Sequence, residues 1–86
     1  MQTPVYKFIA KISLDSKARA GKQVTLIEDL PKQEIFLREL TSELKKKCGS
    51  GGTYSLEKKE GLIEIQGDKR DLIIQILTQK GIQVRK

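Results

Sequence analysis

Lys45, Lys46 and Lys47 run directly into the only cysteine of the chain, Cys48, and then into Gly49-Ser50-Gly51-Gly52. Three chemistries use such neighbours. Glycines beside lysines can cradle a phosphate, a thiolate beside cations can attack an electrophile, and a basic tract can grip nucleic acid. Pattern and polarity separate them. The run is neither GxxxxGKS/T nor GxGxxG. Those loops lead from a strand into a helix, where free N–H groups and the positive end of the dipole meet the anion. Here an apolar helical period ends at the lysines, so the glycines leave a helix and meet its carbonyls.

Cys48 fares no better as a nucleophile. The chain has no histidine, so a thiol–imidazole pair is excluded. Cys48 also continues the apolar register after Leu44, where the helix C-terminus disfavours a thiolate. A small buried thiol is the plainer reading. One cysteine and no histidine cannot build a zinc site, and the acids are scattered rather than paired. The expectation is a protein without catalytic residues, cofactor or metal.

The charge remains. Seventeen Lys and Arg against 11 Asp and Glu give 86 residues a net charge of +6. That balance favours a polyanionic partner over a lipid or an acidic cofactor pocket. Three clusters carry it: Lys17, Arg19 and Lys22 around Gly21; Lys45, Lys46 and Lys47; and Lys69 with Arg70. Each also has a plain structural explanation. The first is a solvated turn, the second complements a helix dipole, and the third forms a local ion-pair set with Asp68 and Asp71. Consecutive lysines span most of a helical turn, so they cannot all serve one ion-pair face. Base stacking is an unlikely mode for a chain with four aromatics and no closely spaced aromatic pair, which leaves recognition of RNA backbone and shape. Glutamates among the lysines of the first helix argue against a membrane surface.

The elements that must position these clusters follow from periodicity. From residue 5 to 14 apolar residues alternate, with Tyr6, Phe8, Ala10, Ile12 and Leu14 on one face of a strand. DSKARAGKQ reads as a hairpin connection, VTLIE as a second strand, and Pro31 as the turn before a helix. Over residues 33–47 the period becomes helical: Phe36, Leu40 and Leu44, broadened by Leu37 and Ile35. TYSLE and GLIEIQ are short strands, joined through KKEG. Asp68 is a candidate N-cap for a second helix whose face is Leu72, Ile73, Ile76 and Leu77. Gly81 ends it, and Ile82 and Val84 point inward from a final strand. The order is β-β-α-β-β-α-β. It predicts an α+β domain covering residues 1–86, a ferredoxin-like α-β plait with two helices on one face of a mixed sheet. No apolar run reaches the roughly 18–20 residues of a membrane span. With MQTPVYKF lacking a signal pattern, a soluble, cytoplasmic monomer is expected.

Two stretches go further. ELKKKCGSGGTYS and GLIEIQGDKRDLIIQIL, with the short final strand, resemble the SUI domain of eukaryotic translation initiation factor one and its prokaryotic YciH-type relatives. KARAGKQVTLIEDL is similar to the family's basic hairpin loop and following strand. The resemblance covers roughly residues 8–86. It implies the same two-helix plait with a leading hairpin. It also implies binding near the P site of the small ribosomal subunit, with an influence on start-codon selection. Ribosomal RNA is the implied partner, with initiator tRNA or mRNA as further candidates. In the eukaryotic factor the basic loop and the first-helix region face ribosomal RNA. Carried over, these are Lys17, Arg19 and Lys22, and Lys45, Lys46 and Lys47. The Q-G-D-x-R element falls on Gln66, Gly67, Asp68 and Arg70. The loop departs from the family's more basic, glycine-rich version at Ala18 and Ala20. A general binder of structured RNA and a protein-interaction plait stand as alternatives.

Overall fold

A computed structural model describes residues 7–15 and 23–85 of the chain. Its elements are β1 (Ile9–Asp15), β2 (Val24–Leu30), α1 (Glu34–Cys48), β3 (Gly52–Ser55), β4 (Gly61–Gln66), α2 (Arg70–Gln79) and β5 (Gln83–Arg85). This is the expected order and class. The five strands form one mixed sheet in the order β3-β4-β2-β1-β5. β1–β2, β2–β4 and β3–β4 are antiparallel, whereas β1 and β5 run parallel. The leading strand is therefore no appendage: it lies inside the sheet, between β2 and β5.

Alternation in the strands sets the core. Ala10 and Ile12 of β1, Ile27 of β2, and Ile63 and Ile65 of β4 are buried on the face that meets the helices. α1 adds Leu37, Leu40, Leu44 and Cys48, and α2 adds Ile73, Ile76 and Leu77. Burying a leucine or isoleucine side chain contributes about 1.5–3 kcal/mol, so these residues outweigh any single surface contact. Ile82 and Val84 turn inward as the alternation requires, with Ile82 buried and Val84 packed on the core.

Two apolar assignments differ from the periodic reading. Ile35 is 62% exposed and Leu72 is 38% exposed. Both sit in the first turn of their helix, where the stripe has not yet rotated onto the sheet. Thr41, in contrast, is buried on the apolar side of α1. The helix ends follow the sequence more closely. Gly49 takes a left-handed conformation (φ 63°), and its N–H reaches the Lys45 carbonyl, closing α1 as glycine does. Lys69, not Asp68, is the residue that caps α2, and no side chain caps it. Asp68 turns instead toward Arg70.

Candidate nucleic-acid interface

Strand directions decide where the charges meet. β1 runs toward Asp15, β2 starts at Val24, and β4, antiparallel to β2, finishes at Gln66 beside that start. β3 begins at Gly52 opposite Ile65, directly after α1 has ended. α2 begins at Arg70, just after β4. The α1 C-terminus, the α2 N-terminus and both residues that flank segment 16–22 thus occupy one end of the sheet. Lys17, Arg19 and Lys22 lie outside the described residues.

Hydrogen bonds bind these ends to one another. The Gly67 N–H donates to the Gln23 carbonyl at 2.7 Å, and the Gln66 N–H to the Gly51 carbonyl at 2.9 Å. The Thr25 hydroxyl donates to the Gly67 carbonyl at 2.6 Å and accepts the Lys69 N–H at 2.8 Å. One buried hydroxyl therefore satisfies two backbone groups and fixes the entry to α2 against the start of β2. Thr25 carries no charge and no motif, so a search for binding residues passes over it. Its signal is a polar residue in the inward register of a strand, two places before Ile27.

The cations fall into distinct settings. Lys45, Lys46 and Lys47 are all exposed, but successive helical residues diverge by about 100°, so they do not form one patch. Lys47 pairs with Glu43 at 2.9 Å. Lys46 has no ion pair among the described residues. Lys45 leans toward β3: its Cγ lies 3.3 Å from where a Cβ on Gly52 would stand. Lys69 is half-buried, and its ammonium is near enough to Cys48 to favour the thiolate. Burial is the larger influence and holds the thiol above its usual range. Cys48 is thus a buried, disfavoured nucleophile. Near the carbonyl end of α1, the Lys69 cation meets negative potential, which offsets its unfavourable place at the start of α2.

Arg70 is held by Asp68 in a two-point fork, Nε to Oδ1 and a terminal nitrogen to Oδ2, both at 2.9 Å. The guanidinium holds the Asp68 carboxyl below the usual range, and the carboxylate raises Arg70 in turn. The Arg70 side chain is exposed. Among the described residues no group of three His, Cys, Asp or Glu could hold a metal ion. No helix there is long and apolar enough to cross a membrane.

Comparison with known proteins places the chain in a family. Residues 7–83 match the family described as translation initiation factor SUI1. The uncharacterized protein YciH of Salmonella typhimurium is 48% identical over 77 residues, covering 90% of this chain and 68% of that protein. YciH of Escherichia coli is 44% identical with the same coverage. A protein translation factor SUI1 homolog from Hyperthermus butylicus is 47% identical over 73 residues, 85% of this chain and 66% of its own.

Proposed function

From the premise that this chain belongs to the translation initiation factor SUI1 family, we propose that it binds the small ribosomal subunit near the P site and influences start-site selection. It acts without catalysis, in the cytoplasm, by docking on ribosomal RNA. The observation that carries this reading is the gathering of the α1 C-terminus, the α2 N-terminus and the residues flanking 16–22 at one end of the sheet. Lys46 and Lys69 are there with charge to give, and Lys17, Arg19 and Lys22 stand between the flanking residues in sequence. Cations held on a rigid frame suit a phosphate backbone, where each neutralised phosphate adds about 0.7–0.9 to the slope of log affinity against log salt.

Co-sedimentation with purified small subunits tests it. Binding should weaken steeply with salt and fall when Lys17, Arg19 and Lys22 are all changed to glutamate. Unchanged pelleting of that triple variant removes the loop from the mechanism. Binding that excess unrelated structured RNA abolishes would make the protein a general RNA binder instead. Retention that ignores salt and survives nuclease would point to a protein partner.

A further inference from the structure

A groove that adjoins the basic end, sharing Lys45 and Gly52 with it, has a different character. It lies between α1 and the free edge of β3, with a volume of about 320 Å³. Arg38, Thr41, Ser42 and Lys45 line it from the helix, and Gly52, Thr53 and Tyr54 from the strand. β3 is the terminal strand of the sheet. Its ladder to β4 has a definite phase. The Gln66 N–H donates to the Gly51 carbonyl directly opposite, so the hydrogen-bonded pairs continue at Thr53 with Glu64 and at Ser55 with Leu62. Gly52 and Tyr54 therefore turn their N–H and C=O groups outward. Neither finds a backbone partner on that side among the described residues.

Two further observations point to an occupant. Thr41 is 5% exposed, lines the groove, and has a buried hydroxyl with no hydrogen-bond partner. Arg38 and Lys45 overhang the same groove, and neither has a carboxylate partner among the described residues. No acidic residue lines it. An open strand edge, an unpartnered hydroxyl and unneutralised cations together fit an extended chain with acidic side chains. We propose that this groove binds an acidic, extended peptide segment of a partner protein as an added strand beside β3. Gly52 and Tyr54 supply main-chain hydrogen bonds, and Arg38 and Lys45 select acidic side chains. A peptide fits better than RNA, because outward-facing N–H and C=O groups recur along a strand edge at the spacing of another strand's own groups, which the sugar-phosphate backbone does not match.

The test uses the full chain, labelled with nitrogen-15, and three probes. These are a capped Val-Glu alternating heptapeptide, its Val-Lys counterpart and a short oligouridine. With the acidic peptide at about 1 mM, the Thr41, Gly52, Thr53 and Tyr54 amide signals should shift saturably, and the Gly52 and Tyr54 amides should gain protection from hydrogen exchange. The exposed double variant Arg38→Glu with Lys45→Glu should weaken that binding about tenfold or more while leaving the rest of the spectrum unchanged. Shifts confined to the basic end, equal shifts with the basic peptide, or groove shifts with oligouridine alone would each overturn the proposal. Absence of any response would also overturn it, leaving Arg38 and Lys45 as guards that keep an open edge from pairing with another copy. None of these readouts depends on ribosome binding.

Discussion

Thr25 and Lys69, 44 positions apart, are joined by a 2.8 Å hydrogen bond from the Lys69 N–H to the Thr25 hydroxyl. Because the same hydroxyl donates to Gly67, the strand that follows segment 16–22 and the helix that carries Arg70 are held as one piece. Thr25→Val keeps the shape and removes both bonds, leaving a buried carbonyl and N–H unpaired. The expected cost is about 2–3 kcal/mol, read from the urea midpoint. Thr25→Ser should recover most of it. A valine variant as stable as the parent would mean that the hydroxyl fixes nothing.

Gly52 marks the closest approach between β3 and its neighbour. A Cβ there would stand 2.6 Å from Ile65 Cδ1 and 2.8 Å from the Glu64 carbonyl oxygen. The isoleucine tip can move, but the carbonyl belongs to the ladder. Gly52→Ala should destabilise the fold by about 1–3 kcal/mol, measured by thermal or urea unfolding. Gly49→Ala meets no neighbour, so its penalty comes from the left-handed backbone alone, about 1 kcal/mol.

Glu43 links the two helices: Lys80 reaches it at 2.7 Å and Lys47 at 2.9 Å. The Lys80 hydrogen bond, then that of Lys47, holds its carboxyl below the ordinary value of 4.5, with burial opposing. A lowered folded-state pKa means stability that is complete above the ordinary value and disappears as pH falls through the folded one. Glu43→Gln should therefore cost about 0.5–1 kcal/mol near neutral pH and less at an acidic pH below the ordinary carboxylate value. Paired urea titrations at the two pH values read the difference. An equal penalty at both would assign the loss to packing.

Cys48 should react slowly with iodoacetamide while the protein is folded, because its thiol is buried and its ionisation is disfavoured. Labelling should accelerate only as urea opens the end of α1. Lys69→Gln removes a charge that favours the thiolate and should slow the folded-state reaction further. Acceleration by that substitution would contradict the placement of the ammonium.

Periodicity made the elements, their order and most of the core legible, because a buried face leaves a period of two or of about 3.6 in the residues themselves. Ile35 and Leu72 escaped it because the first turn of a helix has yet to reach the sheet. The inserted position of β1 also escaped, since strand order depends on which edges meet across the whole chain and no local period records that. For the candidate interface, sequence supplied the cations and the acidic partner of Arg70, but not the geometry of their contacts. The fork between Arg70 and Asp68, the lean of Lys45 onto β3 and the approach of Lys69 to Cys48 depend on side-chain direction. Thr25 carried the one missed clue, a hydroxyl in an inward register.

The parallel pairing of β1 with β5 joins the first and last strands of the sheet in chain order, Ile9 opposite Gln83 and Lys11 opposite Arg85. During synthesis β1 must wait, with one flank uncovered, until residues 83–85 have followed it. Such a contact closes the largest sequence separation among the strand pairings of the sheet, so its entropic cost is met late, after the helices and the β3–β4 hairpin. Growing chains that stall before residue 83 would expose that flank to any other nascent strand nearby. The final three-residue strand is thus a latch on the timing of folding as much as a part of the finished sheet.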